Sequence, residues 1–589
     1  MNNTPVLYRV EPHDPSGHRF RITLTVANPD PAGQTVSLPA WIPGSYLIRD
    51  FSRQIETLTA RSNGRSIQTR KLDNHTWQAA ACAAPLVLQY VVYAWDLSVR
   101  GAHFDHTHAF FNGTSVFLRV HGQEDLPCEV DIAPPVGHAD WKVYTSLPMA
   151  SGKGAARRGG FGRYAAPDYD ALIDHPVEMG MGQSISFTAH GAEHEMVFIN
   201  AHADIDLTRI AADVQRICET QIAFFEPRTR RAPFLDSAPR YVFMTHVTPN
   251  GYGGLEHRAS TALIASRKDI PVRGKTETDD GYRTFLGLVS HEYFHTWHVK
   301  RIKPAVFAPY DLTRPQLTRL LWVFEGFTSY YDDLFLLRSG VVDEATYFRL
   351  LAKTVTQVAN APGRHKQSIA ESSFDAWTRY YKQDENSPNA LVSYYTKGAL
   401  VALGLDLTIR QNSAGKRSLD DVMQLLWTRF GRDFYRGKGR GVDEDAMAGL
   451  ILEATGVDVR RMLSQCVEGR ADVPLERLLA SQGITLGWQA SATAPTFNAR
   501  FRTAADGLVV AFVQENGAAH KGGLSAGDVI VAADEQRIDT QAALDDFVAR
   551  RAPGTWVRLQ VFRNDILHDL RVKLASPPMT TCTIKRSLA

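Results

Sequence analysis

The sequence predicts a multidomain α+β protein: an N-terminal β-sandwich, a mostly helical middle and a small C-terminal β domain. Three observations carry this. Residues 1–180 hold short β-branched and aromatic runs split by Pro, Gly and Asn-Pro-Asp turns. Residues from about 283 to 480 place apolar side chains at helical spacing. From about 497 the period falls back to two, and 589 residues are too many for one core.

The elements follow in order. "RFRITLTV", "PLVLQYVVYAW" and "TSVFLRV" read as strands, with no helix among them. "DLTRIAADVQRICETQIAFFE" predicts a helix opened by Asp206, and "PRYVFMTHVTP" a strand after it. The middle helices are "YRTFLGLVSHEYFHTWHVKRI", "LTRLLWVFEGFTSYYDDLFLLRSG", "VDEATYFRLLAKTVTQVAN", "YYTKGALVALGLDLTIRQ" and "SLDDVMQLLWTRFG". "GLVVAFV", "DVIVAAD", "WVRLQVFR" and "LHDLRVKL" close the chain as strands. The expected domains are 1–180, 181–485 and 495–576.

Apolar content of 44% and charged content of 22% describe an ordinary globular chain. A net charge of +2 calls for neither nucleic acid nor a membrane surface as partner. The basic stretch "SGKGAARRGG" has no interleaved aromatics to stack bases, so it reads as a solvated loop. Five scattered cysteines fit neither a disulfide framework nor a C-x-x-C zinc site. The N-terminal stretch lacks the pattern of a signal peptide, and no apolar run reaches about 18 residues. The expected location is the cytoplasm.

Chemistry concentrates in "SHEYFHTWHVKRIKP". His291-Glu292-Tyr293-Phe294-His295 is an H-E-x-x-H. Two histidines one helical turn apart can each give a nitrogen to one Zn²⁺, and the adjacent glutamate is placed to take a proton from water. Such a motif also arises by chance, so it needs a third ligand. His298 lies about 10 Å along a helix axis from His291, which counts against it, and Pro304 ends that helix soon afterwards. Glu325, after the apolar Leu321-Trp322-Val323-Phe324, is the better candidate, because a carboxylate so placed is paired or bound to metal. A salt bridge to an arginine is its other reading. Ser329 and Asp332, one and two turns further on, are placed to orient a ligand.

"HEYFHTW" followed by "WVFEGFTSYY" resembles the gluzincin metallopeptidases, in which a downstream W-x-x-E-G glutamate completes the site. "GYGGLEHR" resembles their Gly-x-x-Glu strand motif and "YYTKGAL" their Tyr-x-Lys-Gly motif. With "LPAWIPGSYLIRDFSRQI", "RGAHFDHTHAFFNGTSVFL" and a PDZ-like end, the chain is similar to the glycyl aminopeptidase family over essentially its full length. The resemblance implies a thermolysin-like catalytic domain, one Zn²⁺ per chain on His291, His295 and Glu325, and Glu292 as general base. It implies further that Tyr395 stabilises the oxyanion, that Glu256 accepts the substrate α-ammonium, and that Gly253 and Gly254 admit substrate backbone. Two features depart from the family. Asparagine is commoner at the position of His298, and the interval from His295 to Glu325 is longer than in the better-known aminopeptidases.

Two patterns read as decoys. "GLSAG" (523–527) matches G-x-S-x-G, but a strand rather than a helix follows, so Ser525 is expected in a plain turn. The surrounding "AAHKGGLSAGDVIVAADEQRI" resembles a PDZ domain, a candidate site for a peptide or protein partner. "HFDHTHAFF" places His103, Asp105, His106 and His108 in alternation; packed or surface polar histidines are expected there in preference to a metal. The main expectation is a zinc aminopeptidase acting on peptides with small N-terminal residues such as glycine or alanine. The rivals are an endopeptidase of the same fold and a non-catalytic PDZ-type scaffold.

Overall fold

The computed structural model describes residues 4–83, 85–437 and 439–587; the first residues of the N-terminal stretch read above, 1–3, lie outside them. The chain forms two compact units. One comprises the chain through Leu317, with Tyr331–Val342 and Met423–Met447; the other comprises Thr318–Tyr330, Asp343–Val422 and Ala448 onward.

The first unit begins with β layers. A seven-stranded sheet runs Gly162–Ala166, Cys128–Ile132, Val6–Asp14, Arg19–Val26, Leu86–Tyr93, Ile55–Ser62 and Arg65–Ile67. Strict alternation in "RFRITLTV" puts Phe20, Ile22, Leu24 and Val26 inside, all fully buried. Two four-stranded sheets share this apolar core. One of them runs Lys142–Tyr144, Val177–Gly180, His108–Phe111 and Ala102–Phe104. Two short helices, Gly113–Val116 and Tyr169–Ile173, interrupt the all-strand reading. The second starts because the Asp168 carboxylate accepts the Ala171 N–H at 2.6 Å.

A mixed sheet follows in the order Gln183–Ala189, Ala192–Ile199, Arg240–Thr248, Ser260–Ser266 and Tyr252–Glu256. Ala192–Ile199 and Arg240–Thr248 are parallel, so the chain must cross over between them. Helix Leu207–Phe225 makes that crossover, and Asp206 caps it through the Arg209 N–H. Gln221 from this helix bonds the Ser290 carbonyl and hydroxyl, both at 3.0 Å, and so fixes helix Asp280–Phe294 beside it. Asp279 caps that second helix through Tyr282 N–H.

The second unit holds helices Glu344–Ala359 and Thr396–Asn412 and the C-terminal sheet. That sheet runs Ala499–Ala504, Gly507–Val513, Val529–Ala533, Trp556–Arg563 and Ile566–Lys573 around its own apolar core, with helix Gln541–Ala549. Ser525 sits in the turn before Val529–Ala533, its N–H bonded to Asp528, as its sequence context requires. The Asn389 side chain bonds Val513 O at 2.9 Å and Glu515 N–H at 3.0 Å, which seats the sheet on the helical part. A last strand, Thr581–Arg586, returns to pair with Ile484–Gln489, and Arg586 bonds Glu344.

Candidate active site

Helix Asp280–Phe294 carries His291 and Glu292, with His295 as its capping residue. Regular helix stops there, ten residues before Pro304, so the sequence expectation of a helix running on toward that proline is corrected. Two contacts cause the stop. His295 Nδ1 donates to the His298 carbonyl at 2.6 Å, and the buried Arg301 guanidinium donates to the carbonyls of Thr296 (2.7 Å) and Arg258 (3.1 Å). His298 therefore serves His295 through its backbone, from a turn rather than from the helix face. Burial, then the neighbouring His295, holds the His298 imidazole pKa well below its ordinary value.

The tautomers follow from the partners. A carbonyl only accepts, so His295 Nδ1 carries the proton and Nε2 the lone pair. His291 Nδ1 faces Asp332 Oδ2 at 2.9 Å, which fixes the same arrangement. Burial, the largest influence, opposes an imidazolium at His291, but the Asp332 hydrogen bond together with the Asp332 and Glu292 charges raises the pKa. The two Nε2 atoms stand 3.0 Å apart. Two nitrogens this close share either a proton or a metal cation. A tetrahedral ion at about 2.0–2.1 Å from each nitrogen separates them by roughly 3.3 Å, so the pair fits a metal.

Strand Tyr252–Glu256 runs against the helix. A Cβ built on Gly254 would lie 2.1 Å from Glu292 Oε1, so only glycine lets the strand pass the carboxylate. Arg100, which the sequence did not single out, donates to the Gly254 carbonyl at 3.4 Å, and Gly253 lies beside it, half-buried. At the strand's end the Glu256 carboxylate is buried against Gly44, whose φ of +90° and lack of Cβ make room for it. Glu256 Oε1 has no hydrogen-bond partner among the described residues. The strand end is anchored through Asp174, which bonds His257, Arg258 and Lys300. Burial alone would raise the Asp174 carboxyl, but Lys300 and then His257 and Arg258 hold it well below the usual range. Glu256, Glu292 and His295 offer ligand atoms within 4.8 Å of one another.

Glu325 is 2% exposed and joins helices Leu321–Phe324 and Gly326–Arg338, its N–H bonded to Leu321 O and its carbonyl to Ser329 N–H. Asp332 lies two turns along the same helix. His291, His295 and Glu325 form a second set of ligand atoms within 4.8 Å; His298 belongs to neither set. Tyr395 immediately precedes helix Thr396–Asn412, stacked on Tyr394, with its hydroxyl 3.2 Å from that of Tyr381. Lys397 is buried and donates to the Arg470 carbonyl and pairs with Asp472. The motif glycines touch each other: a Cβ on Gly326 would lie 2.7 Å from Gly398 Cα. This crossing brings the chain after Glu325 against the chain after Tyr395.

Comparison with known proteins places three segments of the chain in known families. Residues 7–181 match a family model described as Peptidase M61 N-terminal domain, 284–401 one described as M61 glycyl aminopeptidase, and 495–574 a PDZ domain. The crystal structure of an aminopeptidase N family protein from Idiomarina loihiensis is 40% identical, with a TM-score of 0.93 over 99% of this chain and 98% of that one. Two curated proteins match over short stretches. A probable periplasmic serine endoprotease DegP-like of Halomonas elongata is 35% identical over 72 residues, and a serine protease Do-like HtrA of Lactobacillus helveticus is 31% identical over 98. Those stretches are 12% and 17% of this chain and span only 15% and 22% of the two proteins.

Proposed function

Because this chain belongs to the M61 glycyl aminopeptidase family, we propose that it is a zinc-dependent aminopeptidase releasing N-terminal residues, small ones such as glycine or alanine, from peptides. One observation carries the reading: the braced Nε2 pair at 3.0 Å stands beside a buried, unpartnered Glu256 oxygen. The first feature suits a metal cation, the second an ammonium.

His291, His295 and Glu325 would hold Zn²⁺ through two neutral nitrogens and a carboxylate, which leaves a position open. Bound there, Zn²⁺ supplies Lewis acidity toward the peptide carbonyl and toward water. Glu292 takes the proton of the attacking water and passes it to the leaving amine. The Tyr395 hydroxyl donates to the developing oxyanion, a contact worth about 3–4 kcal/mol. Glu256 binds the α-ammonium and so sets the cut one residue from the end, while Gly253 and Gly254 offer bare backbone to the substrate. The parts divide near residues 180 and 490. Edge strand Ala499–Ala504, paired only with Gly507–Val513 among the described residues, is where an extended peptide would add to the PDZ domain. Five unpaired thiols support a cytoplasmic location, which cell fractionation checks.

The test compares a peptide with a free N-terminus and its N-acetylated counterpart. Losing a charge-assisted contact at Glu256 predicts a rate lower by at least roughly tenfold for the acetylated peptide. Equal rates would replace this reading with an endopeptidase.

A further inference from the structure

Strands Ala102–Phe104 and His108–Phe111 form a hairpin in which His103 pairs with Phe110, and Phe110 in turn pairs with Glu178 on the next strand. Residues two apart share a face, so His103, His108 and Glu178 project from one side. Asp105 lies in the hairpin turn, where its Oδ1 accepts from Thr107 and from the His108 N–H. His106 points out to solvent, beside His138. From strand Arg240–Thr248 the His246 ring sits 4.4 Å, centroid to centroid, from His108.

The hydrogen bonds do not close. His108 Nδ1 is held by Glu178 Oε1 at 2.9 Å, which leaves Nε2 turned to the interior. His108 Nε2, His103 Nδ1 and His246 Nδ1 are all buried with no partner among the described residues. Each such orphan is unfavourable, because a buried polar atom has given up its water without gaining a partner. They face a cavity of about 20 Å³ walled by Leu97, Phe110, Met244 and Ile264, room for one water-sized occupant. His103, Asp105 and His108 offer ligand atoms within 4.8 Å of one another.

We propose that His103, Asp105 and His108 form a second metal site, for a divalent first-row cation such as zinc, beside the cavity that His103, His108 and His246 line. Imidazole and carboxylate donors suit that class of ion. The bond from His108 Nδ1–H to Glu178 is the carboxylate–histidine support that metal-bound imidazoles carry. The one carboxylate lining the cavity among the described residues, Glu178, is taken up by His108, so the ion acts as a staple that closes the hairpin.

The test is metal counting on the full-length chain, stripped, exposed to Zn²⁺ and desalted. The expected result is two equivalents for the wild type, one for the His103→Gln/His108→Gln double variant and one for Glu325→Gln. A wild type holding one equivalent, or a double variant holding as many as the wild type, overturns the proposal; a cavity filled by water gives that outcome. Should the double variant not fold, Asp105→Asn in the hairpin turn is expected to raise the second Kd at least roughly tenfold, and an unchanged Kd overturns it. Glu325→Gln counts the catalytic ion separately, so failure here is distinguishable from failure of the proposed activity.

Discussion

Two pairs of histidines differ in what surrounds them more than in how they are held. His291 and His108 each direct Nδ1 to a carboxylate at 2.9 Å, from Asp332 and Glu178. The first pair, completed by His295, uses one helical turn. The second, completed by His103, uses the diagonal of a hairpin. Around His295 stand two further carboxylates, Glu292 and Glu256, beside a strand of bare glycines. Around His103 and His108 stand mostly leucine, phenylalanine, methionine and isoleucine side chains, and the Glu178 carboxylate there is already held by His108. Braced imidazoles suffice to hold an ion; chemistry needs a carboxylate not spent on holding it, and a face a substrate can reach.

The largest expected effect breaks the comparison at that extra carboxylate. Glu292→Gln should lower peptidase turnover by about 10²–10⁴-fold while leaving metal content unchanged, measured on one preparation; retained turnover contradicts the role. Next come the two braces. Asp332→Asn and Glu178→Gln should each weaken only their own metal equivalent, by roughly 10–100-fold, in zinc competition titrations. Loss of both ions from either variant would mean the sites are not independent.

The smallest effect concerns a buried histidine that holds no metal. His175 donates to the Ala171 carbonyl at 2.6 Å, and burial, then Arg258, holds it down at about 4. Its unfolded value is about 6.5. Below pH 6.5 the unfolded chain therefore takes up a proton that the folded chain refuses. Stability, complete above that pH, should fall by up to about 1.4 kcal/mol per pH unit toward pH 4. His175→Asn should flatten that slope in denaturant titrations across the same range; an unaltered slope removes the assignment.

What the sequence made legible was short-range or strictly periodic. His291 and His295 are four residues apart, Asp332 lies two turns from Glu325, and strand Trp556–Arg563 alternates cleanly. What it hid depends on distant partners. The helix end at Phe294 rests on Arg301 and on the His298 carbonyl, and the pairing of Ile484–Gln489 with Thr581–Arg586 joins strands on either side of the whole PDZ domain. The histidines of "HFDHTHAFF" look alike in sequence, but the hairpin turn separates His106 from the other two and Glu178 arrives from a strand some seventy residues on. No local pattern announces that arrival.

The contact of Gly326 with Gly398 has a consequence in suppressor genetics. A size change in a packed core is often cured by trimming the residue opposite. Here the residue opposite has nothing to trim, since a Cβ on Gly398 would come 2.9 Å from Gly326 Cα and the reverse contact is tighter still. A lesion such as Gly398→Ala thus has no intragenic remedy at its partner. Revertants should restore the glycine itself or arise where the backbone of either helix can shift.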